Sequence, residues 1–188
     1  MNASIARAFV AIAPPEPVLD AVAAAVSRVV LPDGWRGTPR EQWHLTLLFL
    51  GAVADADAVV RGLRGACADR GAFSLGLRGA GAFPRARRAG VVWVGVDEGA
   101  APLVSLAEAV SGALAPLGHE RDEARFHPHL TVARTRGRDQ RDARELVAAL
   151  GDDRLGERWI VNEVVLYESH TRSSGAEHAV VERFPLSG

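Results

Sequence analysis

Two four-residue words, His44-Leu45-Thr46-Leu47 and His129-Leu130-Thr131-Val132, lie inside apolar runs, and each sets a histidine and a threonine two residues apart. On an extended strand, side chains at i and i+2 share a face, so each word presents one imidazole and one hydroxyl together while its apolar residues turn the other way. Two such faces brought together supply two proton-transfer groups and two hydroxyl donors. That is the set that metal-free cleavage of a phosphodiester requires.

The rest of the chain is organised around these two words. Arg7 to Ala13 reads as a buried strand ended by Pro14-Pro15, and a helix is expected from Glu16 to Val30. The first word extends as a strand over Trp43 to Leu50, followed by a helix from Asp55 to Arg70 and a strand from Phe73 to Ala80. The second half replays the order: strand Val91 to Val96, helix Ala101 to Leu117, the second word after Pro128, a short helix Arg141 to Leu150, then strands over Arg158 to Glu168 and His178 to Phe184. The two histidines are 85 residues apart and their flanking elements share nearly the same offset, which reads as a duplication about a pseudo-twofold axis with a histidine strand on each side of a cleft.

A chain of 188 residues, 48% apolar, buries a sizeable core as a single domain or two small fused lobes. Its net charge of −1 gives no footprint for a long duplex, so contact with nucleic acid is expected to be local, near a strand end. Cys67 has no partner, which excludes a disulfide framework, and no signal sequence or membrane-length apolar run is read, so a cytoplasmic protein is expected. Every basic residue is arginine, which removes lysine chemistry such as a Schiff base or a lysyl-nucleotide intermediate.

The chain resembles the two-histidine (2H) phosphoesterases, and within them the bacterial and archaeal RNA 2′,3′-cyclic phosphodiesterases, also called 2′-5′ RNA ligases. The resemblance rests on Arg7-Ala8-Phe9-Val10-Ala11, the run His44 to Gly51, Gly81-Ala82-Phe83-Pro84 before an arginine-rich turn, and the Val91 to Val96 strand with Trp93. It continues through Phe126 to Arg134 and the closing Arg183-Phe184-Pro185-Leu186, so that it spans essentially the whole chain. It implies an α+β fold: one domain of two intertwined lobes, two mainly antiparallel sheets flanking a central cleft, and helices outside. The implied reaction is hydrolysis of a 2′,3′-cyclic phosphate at an RNA 3′ end to a 2′-phosphomonoester, with joining of tRNA halves through a 2′-5′ linkage in the reverse sense. No cofactor, metal or membrane is implied, and a monomer is expected.

By the same resemblance His129 is the base that activates water and His44 the acid that protonates the departing oxygen, while Thr46 and Thr131 donate to the non-bridging oxygens. Arg134 matches a position that contacts phosphate or nucleotide. Arg85, Arg87 and Arg88 form a basic turn suited to RNA phosphates upstream of the reacting end, and Phe126 is a candidate for stacking on a base, whereas Trp43 reads as core. His127 reads as a surface residue and His119 and His170 as loop residues. His178 reads by default as an exposed strand residue, with the alternative that it faces the cleft in place of the tyrosine that the family usually carries in the stretch Gly175 to His178. Three other readings compete: a metal site built from His44, His127 and His129, a nucleotide or RNA-end binding module without turnover, and a phosphodiesterase for a small cyclic nucleotide or a cyclic phosphate of ADP-ribose.

Overall fold

The architecture follows from how the apolar runs alternate with helices in the computed structural model, which describes residues 4–120, 126–172 and 175–187. In chain order the elements are β1 (Ile5–Ile12), α1 (Glu16–Val26), β2 (Trp35–Gly37), β3 (Leu45–Val53), α2 (Ala56–Ala68), β4 (Phe73–Arg85), β5 (Arg88–Val96), α3 (Ala100–Leu114), β6 (His129–Thr135), α4 (Arg144–Leu150), β7 (Arg154–Val161), β8 (Glu163–Arg172) and β9 (Gly175–Pro185). The fold is α+β, and every pairing between these strands is antiparallel.

The helices start and stop for local reasons. Asp55 caps α2, its carboxylate accepting the Ala58 N–H at 2.9 Å, and Ala56, Val59, Leu63 and Cys67 fall on one buried stripe. Pro17 sits in the first turn of α1, where its missing N–H costs nothing. That helix ends at Val26 rather than at the expected Val30, because Arg28 and Val29 bond three residues back, to Ala25 and Val26, and the Ser27 hydroxyl takes the Ala24 carbonyl. With its following 3-10 turn, α3 is an 18-residue stretch of hydropathy 1.4, as long and apolar as a short membrane span, contrary to the sequence reading. Its Leu103, Leu106, Ala107, Val110 and Leu114 are nonetheless committed to the core.

Two four-stranded ladders, β7-β4-β5-β6 and β3-β1-β8-β9, make the two halves of the sheet. They meet through a single pair, Leu45 on β3 opposite Leu130 on β6, so the two expected sheets are joined there into one curled sheet. Beyond Leu130 the two strands part, and β2 pairs along the outer half of β6 with Trp35 opposite Thr135, Arg36 opposite Arg134 and Gly37 opposite Ala133. The lobes exchange strands, since β4 follows the first histidine yet pairs with β5, while β8 and β9 return to β1. The segment expected as one strand over Arg158 to Glu168 is two, β7 and β8, which part at Asn162.

Candidate active site

Regular alternation would turn a residue five positions beyond each histidine away from the face that the histidine occupies. The register of β3 prevents this, because Val10 is opposite Leu48 while Ala11 is opposite Thr46, leaving Leu47 as an extra residue. Leu47 and Leu48 are therefore both buried, and Phe49 comes back to the face of His44 and Thr46. β6 carries the same device: Val92 pairs with Ala133 and Trp93 with Thr131, so Val132 is extra and Arg134 returns to the face of His129 and Thr131. All six side chains line one cleft of about 750 Å³ at the splayed junction of the two lobes.

The imidazoles are held in similar ways. The Nδ1 atom of His129 lies 2.7 Å from the His127 carbonyl oxygen, which can only accept, so Nδ1 carries the proton and the neutral ring keeps its lone pair on Nε2. The His44 ring is likewise hydrogen-bonded to the backbone two residues before it, at Gln42, an interaction that favours the charged ring. The Gln42 side chain in turn donates to the Ala176 carbonyl at 2.6 Å and ties this approach segment to β9. His44 stacks on Phe9 at 4.6 Å between ring centres, and Phe9 stacks on Tyr167 at 5.1 Å. His129 meets Phe83 edge-on at 4.9 Å, and the Phe83 ring packs on Trp93 at 5.2 Å.

Burial sets the electrostatics. It pushes the His44 pKa down to about 4, helped by His178 and then by Arg134 and His129, against the opposing pull of the Gln42 backbone. Burial also lowers His129, against the opposing pull of the hydrogen bond to the His127 backbone, with the charges of the His127 ring and Arg134 adding to the lowering. Both rings are thus neutral in the empty cleft at neutral pH. Arg7, Arg36 and Arg134 line the same cleft, and no Asp or Glu is among its described lining residues, so an anion entering here meets only neutral and positive groups.

The profile of the 2′-5′ RNA ligase superfamily matches residues 14–172. The chain belongs to the 2′-5′ RNA ligase superfamily. Among its relatives in that superfamily, an RNA 2′,3′-cyclic phosphodiesterase of Aquifex aeolicus is 33% identical over 148 residues, covering 77% of this chain and 78% of the relative. One of Thermus thermophilus is 32% identical over 191 residues, covering 97% and 91%. The crystal structure of E. coli LigT complexed with 3′-AMP matches the fold with a TM-score of 0.77 at 27% identity, covering 98% of this chain and 99% of that one.

Against this superfamily background, several sequence expectations shift. Phe126 is partly buried against the core and is not among the residues that line the cleft. Arg85, Arg87 and Arg88 are exposed around the β4–β5 hairpin tip, beyond Phe83 and Val91, which form the cleft wall on that side. Trp43 is core, its indole N–H donating to the Thr38 carbonyl at 3.0 Å. His170 lies on β8 rather than in a loop, 3.6 Å from Glu168. His127 is exposed, as expected, with its ring against Trp93 at 4.5 Å, and among the described residues no group of three or more His, Cys, Asp or Glu is arranged to hold a metal ion.

His178 takes the second of its two expected places and faces the cleft. Its ring is edge-on to His44 at 5.4 Å and to Phe9 at 4.8 Å, and it lines the cleft together with its cross-strand partner Ser169. Arg36, Thr38, Gln42 and Phe49 are further cleft residues that the sequence reading did not select. No local signal selects Phe49, because the inserted Leu47 looks in sequence like any other apolar position of the strand.

Proposed function

We propose that this protein hydrolyses 2′,3′-cyclic phosphate ends of RNA to 2′-phosphomonoesters, without a metal, using His129 as general base and His44 as general acid. One observation carries the reading: both His-x-Thr pairs line a single cleft, with the His129 proton held on Nδ1 and the Nε2 lone pair left for a water molecule. The names of the relatives from Aquifex aeolicus and Thermus thermophilus support the same substrate class.

In the proposed step Nε2 of His129 takes a proton from water as the water oxygen bonds to phosphorus. The bond from phosphorus to the 3′ oxygen breaks on the opposite side, and that oxygen receives the proton of His44. The Thr46 and Thr131 hydroxyls donate to the two non-bridging oxygens, where negative charge gathers. His44 must be protonated to act, and its surroundings oppose this in the empty cleft. The phosphodiester supplies the missing negative charge, so binding of substrate loads the acid. A 5′-hydroxyl in place of water gives a 2′-5′ linkage by the same proton transfers, the route by which tRNA halves would be joined.

The test is incubation with an oligoribonucleotide ending in a 2′,3′-cyclic phosphate, in EDTA, followed by identification of the monoester formed. A 2′-phosphate is expected. A 3′-phosphate, or no turnover, overturns the proposal.

A further inference from the structure

Two residues before His44, the Gln42 side chain donates to the carbonyl of Ala176, itself two residues before His178, so the segments that lead to these two histidines are braced to each other. The rings then share one support. His44 stacks on Phe9 at 4.6 Å, and His178 meets the same ring edge-on at 4.8 Å. The two imidazoles are edge-on to each other at 5.4 Å, and both line the cleft. Packing alone does not account for a histidine here: the Nδ1 atom of His178 is buried without a hydrogen-bond partner, which costs stability and gives the fold nothing in return.

What faces the pair decides how it holds charge. Around it β1 contributes Arg7 and β8 contributes Ser169, opposite His178, while His129 and Arg134 on β6 and Arg36 on β2 line the same cleft. Tyr167 on β8 lies 6.4 Å from each ring, and burial raises its pKa, so it is uncharged at neutral pH. Glu41, Glu168, His170 and Glu177 are not among the residues that line the cleft; Glu168 lies 3.6 Å from His170, and Arg40, on the approach to His44, pairs with Glu16 and Asp20. A proton on either imidazole therefore has no carboxylate beside it among the described lining residues, and it repels a proton on the other. Of the charges that lower the His44 pKa, that of His178 acts most strongly.

We propose that His178 is a positioning residue that acts through His44: the two rings hold one proton between them, and a bound phosphodiester decides which of them carries it. The inference rests on the acid role of His44 in the proposed reaction and adds a control to it. In the empty cleft His178 takes the proton first, because burial opposes a charge on His44 more strongly. An anion lying between His44 and His129 favours the charge on His44, and the acid is loaded when there is a bond to cut. Without His178, His44 would charge in the empty cleft at a higher pH.

The experiment follows the His44 ring by NMR in the ligand-free protein as the pH is lowered, its signal identified by its absence in His44→Gln, and measures kcat/KM on a cyclic-phosphate oligonucleotide over the same range. The proteins compared are the wild type, His178→Phe and His178→Gln. In the wild type His44 is expected to titrate in two steps. In both variants it titrates in one, with a midpoint higher by about half a pH unit or more, and the midpoint of the alkaline limb of kcat/KM, read against each protein's own plateau, moves the same way. His178→Phe keeps a ring against Phe9 but carries no proton, so a role in packing alone predicts that it behaves as the wild type, and that result overturns the proposal. A His44 midpoint unmoved in both variants overturns it too, whether or not the protein turns over substrate. A midpoint that rises with no matching move of the limb supports the shared proton and overturns His44 as the acid. Where acid unfolding cuts the titration short, the limb decides, and a limb identical in all three proteins overturns the proposal.

Discussion

Phe49 and Arg134 occupy equivalent places on the two histidine strands, each five residues after its histidine and each returned to the cleft by one inserted residue, Leu47 in β3 and Val132 in β6. Their cross-strand partners correspond too, Phe9 opposite Phe49 and Val91 opposite Arg134, and both of these also line the cleft. The duplicated scaffold therefore presents two chemically different walls. One is aromatic, where Phe49 remains 69% exposed, and the other is cationic. The two His-x-Thr pairs are placed alike; their surroundings are not.

Replacing either histidine should abolish most turnover. His44→Ala and His129→Ala are each expected to lower kcat by about 10²–10⁴-fold, with Thr46→Val and Thr131→Val costing about tenfold each. Steady-state rates on a cyclic-phosphate oligonucleotide, with far-ultraviolet circular dichroism to verify folding, test this. A threonine variant more damaged than either histidine variant contradicts the assigned roles.

The pH dependence follows from the direction of the two shifts. kcat/KM reports the free enzyme, which needs His129 neutral and His44 protonated, and both groups lie below their usual value near 6.5. The working form is thus most populated on the acid side of 6.5, and kcat/KM should fall as the pH rises above it. In kcat the bound phosphodiester favours the protonated ring, so its alkaline limb should move to higher pH. An optimum of kcat/KM above pH 7 contradicts the scheme.

Acid should destabilise the protein through the same cluster. His44, His129 and His178 all have pKa values lowered by burial, so between about 6.5 and 4 the unfolded chain binds protons that the folded one does not. Stability is full above the unfolded value and is lost as the pH falls through that window. His178→Gln removes one of the three contributions, so its urea midpoint should drop less between pH 7.5 and pH 5 than that of the wild type.

Leu130→Ala should couple stability to rate. Leu130 is 0% exposed, and truncating a fully buried leucine costs about 2–5 kcal/mol. Because it stands in the β3–β6 pair beside His129, kcat should also fall, whereas Leu106→Ala in α3, at 2% exposure, should lose comparable stability with a smaller effect on kcat. Denaturant unfolding and kcat measured on both variants compare the two.

Activity should survive exhaustive treatment with EDTA. Loss of turnover that is restored by zinc would favour the reading in which His44, His127 and His129 bind a metal.

The placement of the cleft residues was legible wherever it obeyed a period of two. His44 with Thr46, and His129 with Thr131, are each separated by one apolar residue, and that spacing alone put them on shared faces. What breaks the period was not legible. An inserted residue looks in sequence like any other apolar position, so Phe49 was passed over, and Arg134 was selected by resemblance rather than by geometry. β2 is only three residues long, too short to leave a pattern, and it brings Arg36 to the cleft. His178 reaches the cleft because the β8–β9 hairpin lies against β1, a long-range pairing with no local signature. The arginines at 85, 87 and 88 were legible as an exposed basic turn, and they lie at the β4–β5 hairpin tip outside the residues that line the cleft.

The meeting of Leu45 with Leu130 has a consequence for how such a scaffold tolerates change. The spacing of the two imidazoles is anchored by one rung of backbone, whose members are covalent neighbours of His44 and His129. Remote connections, such as the hairpin after Arg85 or the stretch carrying α4, are therefore free to lengthen, shrink or be exchanged without detuning the reaction. Diversification of a chain built this way alters what it grips and leaves the bond it cuts unchanged.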